Sequence, residues 1–165
     1  MTTAAGRAWV FGDRIDTDLI MPMRALERPR DEQPAFVFSA NRPGWSAQVQ
    51  AGDVIVAGSG FGIGSSRPAA RVLKDLGISA VVATGFNGLF LRNAVSGGLP
   101  CLTIPGIDEE ITEGEEVVVD FERWALTTVA NGRTYEAESR PAMLRDLMTG
   151  GGLIPLLVSK GYIEG

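Results

Sequence analysis

Histidine is absent from this 165-residue chain, and cysteine occurs once, at Cys101. Without histidine there is no imidazole general base, no Ser-His or Cys-His nucleophile pair and no His-ligated zinc. A lone cysteine excludes an internal disulfide and any thiolate cluster built by this chain alone. Basic runs are lacking too: 15 Lys and Arg stand against 20 Asp and Glu, a formal net charge of −5. With no aromatic-basic interleaving either, nucleic acid is not an expected partner. No apolar run approaches the ~20 residues that span a bilayer, so no membrane role is expected. The opening MTTAAGRAWVFGD has no apolar signal core, and a cytoplasmic setting is the expectation. Any chemistry must fall to hydroxyls, carboxylates, Lys or Arg, or to a group brought by a partner.

What is present fits one globular domain over 1–165, with 45% hydrophobic and 21% charged residues. Arg7–Phe11 reads as a strand ending at Gly12-Asp13. Residues 13–34 are polar and interrupted by Pro22, Pro29 and Pro34, which predicts a long irregular loop. Ala35–Ser39 reads equally as strand or short helix. Three buried strands are predicted at Asp53–Ala57, Ile78–Ala83 and Leu99–Ile104. Between them lie two helices, one from Ser66 as N-cap to Leu76 with Gly77 closing it, the other over Gly88–Val95. Strand alternating with helix predicts an α/β fold with parallel strands. The last third is β-rich: strands at Glu115–Asp120, Trp124–Val129 and Arg133–Ala137, with Asn131-Gly132 as the turn between the last two. A helix follows over Pro141–Met148, then a glycine break and the apolar tail LIPLLV.

The most informative stretch is GSGFGIGSSRPAARVLKDLG, Gly58 to Gly77. Alternating glycines permit positive φ and close approach. The serine pair Ser65-Ser66 and Arg67 then stand where a helix opens, a place suited to a carboxylate or phosphate. One serine suffices for capping, and an arginine beside the positive end of a helix is unfavourable unless an anion compensates it. A P-loop is excluded because its lysine is missing. The dinucleotide fingerprint GxGxxG fails because Ile63 stands where the third glycine belongs.

A second constellation is GDRIDTDLIMP, with Asp13, Asp16 and Asp18. It lacks the glycine and closing glutamate of a calcium loop. These carboxylates serve either as Asx-turn caps or to orient an arginine or hydroxyl in a site. Arg24, Arg28 and Arg30 follow in the same loop. Singly they are solvated charges; together they could clamp the second carboxylate of a dianion.

GDRIDTDLIMP, GSGFGIGSSRPAA and FNGLFLRNAVSGGLP, in that order, resemble the small subunit of 3-isopropylmalate dehydratase and the swivel domain of the wider aconitase family. The resemblance spans most of the chain and implies a swivelling β/β/α domain. It further implies a large-subunit partner carrying a [4Fe-4S] cluster, with no metal held by this chain. The implied chemistry moves a hydroxyl between neighbouring carbons of a hydroxy di- or tricarboxylate. By the same resemblance Ser65 is the alkoxide-like base and Asp18 the active-site aspartate. Arg67 binds a substrate carboxylate, assisted by Ser66 and by N–H groups of the loop around Gly62 and Gly64. The chain differs from the family where Ile63 replaces a usual Cys and Pro68-Ala69-Ala70 replaces Glu-His-Ala.

Three functions remain open on the residues alone. The first is a hydro-lyase small subunit, for isopropylmalate, homoaconitate or a methylated malate. The second is an anion- or nucleotide-binding module without chemistry of its own. The third is an interaction domain that uses Met21-Pro22-Met23 and the apolar tail as its interface.

Overall fold

A computed structural model describes residues 2–165. Seven strands form one mixed sheet in the order β4-β3-β2-β1-β5-β6-β7. Its parallel half holds β1 (Thr3–Val10), β2 (Val54–Ala57), β3 (Ala80–Ala83) and β4 (Cys101–Thr103). β2 to β4 are buried at every residue, as expected of strands covered on both faces. The antiparallel half adds β5 (Glu116–Asp120), β6 (Ala125–Thr128) and β7 (Thr134–Glu136). In β5 only alternate residues are buried, the signature of a sheet with one wet face. The sheet curls until its ends meet: just beyond β7, the Glu138 N–H donates to the Thr103 carbonyl at 2.8 Å.

β1 begins at Thr3, four residues earlier than the apolar run RAWVF predicts, because Thr3 to Arg7 pair with Asp120 to Glu116. The irregular loop is also corrected. Residues 13–34 contain two single-turn helices, α1 (Thr17–Ile20) and α2 (Met23–Leu26), and lead into a 3-10 turn at Gln33–Phe36. Pro22 precedes the first residue of α2, and Pro34 lies in the first turn of the 3-10 segment. Here proline starts structure, since its fixed φ suits a first turn. Ala35–Ser39 is not a strand, and a further turn, α3 (Trp45–Gln48), follows it. This arm is tied down by an aromatic cluster of Trp9, Phe11, Phe38 and Trp45, with ring centroids 4.4 to 5.8 Å apart.

The crossovers are α4 (Ala69–Leu76) and α5 (Gly88–Gly97), and each ends on a glycine of positive φ, Gly77 and Gly98. Asn87 caps α5 through its side chain. A one-turn α6 (Ile107–Glu110) follows β4. The loop between β6 and β7 runs over 129–133 and holds Asn131-Gly132, with the Asn131 side chain bonded to Thr128 and to the Arg133 N–H. The C-terminal α7 (Ala142–Thr149) and α8 (Leu153–Ser159) pack on α5; the apolar tail is helical.

Candidate functional site

Two loops meet at the C-terminal edge of the parallel strands, the usual place for a ligand in an α/β sheet. One leaves β1 through Gly12 to Thr17, the other leaves β2 through Gly58 to Pro68. Backbone bonds stitch them together: Arg14 N–H to Ser59 O at 2.7 Å, Gly62 N–H to Ile15 O at 2.7 Å, and Thr17 N–H to Ile63 O at 2.9 Å. Gly62 has φ +83°, and a Cβ there would overlap the Phe90 side chain, so only glycine lets the loop lie this close to α5. Its N–H is spent on Ile15. In this structure Gly62 shapes the loop, with its N–H already donated inside it. Gly64 is exposed, with φ +102°, and delivers the chain to Ser65.

The three aspartates of the first loop take separate positions. Asp13 accepts from the Ser59 N–H at 2.8 Å. Asp16 caps α1 by accepting from the Leu19 N–H at 2.8 Å. Asp18, in the first turn of α1, is left pointing at the glycine loop. Its Oδ1 accepts the Ser65 hydroxyl at 3.1 Å and lies 2.9 Å from Arg67 Nε. Arg67 is fixed a second time by donating from a terminal nitrogen to the Met21 carbonyl at 2.8 Å. Thr17, a residue not anticipated from the sequence, donates its hydroxyl to the Ser65 carbonyl at 2.7 Å and completes the cradle. Its signal was the DTD pattern itself, with threonine between two aspartates.

The Arg67 side chain is 17% exposed and that of Asp18 61%. A pair this open contributes at most about 1 kcal/mol to stability. Its effect is orientation: one carboxylate oxygen holds both the guanidinium and the hydroxyl.

Ser66 does not cap a helix. α4 starts at Ala69, behind Pro68, and has no side-chain cap. The Ala69 N–H turns back to Arg67 O and the Arg67 N–H to Ser65 O, so residues 65–68 form an irregular turn. The physical cause is Pro68: it disfavours helical geometry at Arg67 and holds the helix start behind it. The helix's positive end thus lies beyond Ser65, and Arg67 is the cation built into the cradle.

The arginine set of the long loop divides, with Arg24 and Arg28 together and Arg30 apart. Arg24 and Arg28 both lie over the Phe36 ring, at 5.5 and 5.3 Å, and Arg28 also pairs with Glu32 at 3.7 Å. Arg30 donates to both oxygens of Asp75, which raises its pKa through that hydrogen bond and charge. Asp75 is also held by Arg71, whose other terminal nitrogen donates to Gln33 at 2.6 Å. Beside the cradle runs a groove of about 400 Å³ walled by Ser66, Arg67, Arg71, Asn93 and Ser96. A larger and mostly apolar cavity, about 650 Å³, opens at the opposite edge of the sheet, between Gly52, Ile78, Pro100 and Phe121. It sits at the N-terminal ends of β2 to β4, far from the polar cluster, and holds none of the residues just described.

Cys101 is buried in β4, and burial pushes its thiol well above the ordinary range, so it stays protonated and is a poor metal ligand. Among the described residues no group of three or more Cys, Asp or Glu is placed to hold a metal ion, and no helix is long and apolar enough to cross a membrane.

Residues 14–106 match the Aconitase C-terminal domain family. The chain is 39% identical over 157 residues to the isopropylmalate/citramalate isomerase small subunit of Methanocaldococcus jannaschii, covering 94% of each. It is 40% identical to 3-isopropylmalate dehydratase small subunit 1 of Methanopyrus kandleri, covering 94% of this chain and 93% of that one. The crystal structure of 3-isopropylmalate dehydratase from M. jannaschii superposes with a TM-score of 0.89 at 33% identity, covering 98% of this chain and 97% of the other. These similarities confirm the α/β swivel fold expected from the three sequence blocks. The chain belongs to the aconitase C-terminal domain family and, within it, to the 3-isopropylmalate dehydratase small subunits.

Proposed function

We propose that this chain is the small subunit of a two-chain hydro-lyase that isomerises 2-isopropylmalate to 3-isopropylmalate, a step of leucine biosynthesis, in the cytoplasm. The observation that carries the reading is the single Asp18 oxygen shared by the Ser65 hydroxyl and Arg67 Nε. Ser65 takes the carbon-bound proton of the substrate, while its own proton passes to the carboxylate already accepting it. Asp18 thus does for the serine what histidine does in other enzymes. Arg67 keeps one terminal nitrogen for a substrate carboxylate, with the Ser66 hydroxyl and the exposed Gly64 segment beside it. Arg24 and Arg28, stacked on Phe36 on the next turn, add positive potential at the rim and draw in the dianion.

A [4Fe-4S] cluster on the large subunit would supply the Lewis-acid chemistry for the hydroxyl, while this chain's residues hold the substrate and move the proton. Ser65 and Asp18 are exposed here. A proton transfer of this kind needs water excluded, and the large subunit closing over this edge provides that cover. A second substrate, the methylated malate citramalate, is favoured by the name of the M. jannaschii relative.

The test is reconstitution. The purified chain, mixed anaerobically with a cluster-bearing large subunit, is assayed on 2-isopropylmalate, citramalate, homoaconitate and a nucleotide control. Turnover of a hydroxy acid only in the mixture is expected. Tight nucleotide binding by the chain alone, with no turnover in the mixture, would overturn the reading.

A further inference from the structure

The groove beside the cradle is lined by two guanidinium groups, Arg67 and Arg71, and by no carboxylate. Its neutral polar lining is Ser66, Asn93 and Ser96, and among the described residues none of these three side chains has a hydrogen-bond partner. Arg67 has committed Nε and one terminal nitrogen, leaving the other terminal nitrogen without a partner. Arg71 is anchored from behind by Gln33 and Asp75, which leaves its Nε without one. Two oriented cations and three idle donors around about 400 Å³ make a site for an anionic group; small-molecule sites occupy roughly 300–1,000 Å³. Each guanidinium offers the groove one nitrogen without a partner, and two such charged donors favour an anionic group such as a carboxylate.

We propose that this groove seats the substrate's second carboxylate, with Arg71 and Asn93 as its contacts and Arg67 bridging the two carboxylates. The inference rests on the hydroxy-dicarboxylate reading above and assigns two residues to which the sequence reading gave no role. Arg71 comes from the first turn of α4 and Asn93 from the middle of α5, so the groove is a junction between the two crossover helices. Arg24 and Arg28, turned onto Phe36, then steer the dianion but do not hold it.

The test uses the reconstituted two-subunit enzyme carrying Arg71→Ala, Arg71→Lys or Asn93→Ala, beside Ser65→Ala as a control. Arg71→Ala is expected to raise KM for the dicarboxylate about tenfold to a hundredfold, the effect of losing one charged hydrogen bond, with kcat changed far less. Arg71→Lys should recover part of the loss, and Asn93→Ala should raise KM several-fold. A substrate with the second carboxylate converted to an amide should show no difference between wild type and Arg71→Ala. KM within twofold of wild type in both alanine variants, with normal subunit binding, would overturn the assignment. If Arg71→Ala fails to assemble, the exposed Asn93 carries the test, because its side chain holds nothing else in place. Loss of turnover in Ser65→Ala with silent groove variants rejects only the groove. Unchanged turnover in Ser65→Ala rejects the underlying reading.

Discussion

Gly62 and the ring of Phe90 occupy adjoining space so closely that no side chain fits between them. That contact sets how near the glycine loop lies to α5, and through it where Ser65 stands. Gly62→Ala meets two penalties, the positive φ and the overlap with Phe90. We expect it to destabilise the chain by about 1–3 kcal/mol. In a chain of this size that lowers the melting temperature by roughly 2–4 °C per kcal/mol. Calorimetry showing an unchanged transition would mean that the loop relaxes freely.

Ser65→Ala removes the proposed base while leaving the backbone bonds to Thr17 and Arg67 in place. Turnover of the assembled enzyme should fall about 10²–10⁴-fold, and substrate affinity should change little. Single-turnover kinetics beside equilibrium binding separate these two quantities.

Asp18→Asn tests the shared oxygen. The amide leaves Ser65 without a carboxylate to accept its proton and Arg67 without its counter-ion. Both kcat and KM should worsen, whereas the melting temperature should move by no more than the exposed ion pair contributes, about 1 kcal/mol. A variant that loses kcat alone would point to the proton path and absolve Arg67.

Acid should destabilise the fold through Asp53 and Glu113. Burial raises the Asp53 pKa, but the N–H groups of Gln50, Trp9 and Arg7, together with the Arg7 charge, outweigh it and leave the net value lowered. Glu113 is lowered chiefly by the Arg42 hydrogen bond. Carboxylates with depressed folded values contribute stability above their unfolded pKa, about 4, and lose it as pH falls through the folded value. The melting temperature should therefore be level down to about pH 5 and drop below pH ~4. Asp53→Asn should cost about 2–3 kcal/mol at neutral pH and flatten that acid slope. Thermal melts across pH check both.

Cys101 should resist alkylation in the native chain and react readily in denaturant, since it is fully buried with a raised thiol pKa. Rapid native labelling, followed by mass spectrometry, would show that β4 opens locally.

The parallel strands and both crossover helices were legible in the sequence because each buries a run of apolar side chains with its own period. The family was legible as well, carried by the DTD and GSSR blocks. Less was visible wherever a long-range contact decides. Thr3–Ala5 carry no strand signal and become strand only by pairing with β5. The proline-rich arm reads as irregular, yet Phe38 and Trp45 pack it against Trp9 and Phe11. Ser66 has the chemistry of a cap, and Pro68 moves the helix start past it.

Residue types alone determined that this chain has no imidazole and a single thiol, and so must work through hydroxyl, carboxylate and guanidinium groups. They also determined which stretches form buried strands, since period and composition are local properties. Tertiary structure decided that one Asp18 oxygen meets both the Ser65 hydroxyl and Arg67, and that Arg71 and Asn93 share one groove. Those choices depend on where separate loops cross in space. Spacing along a chain carries no record of a meeting between residues 47 positions apart.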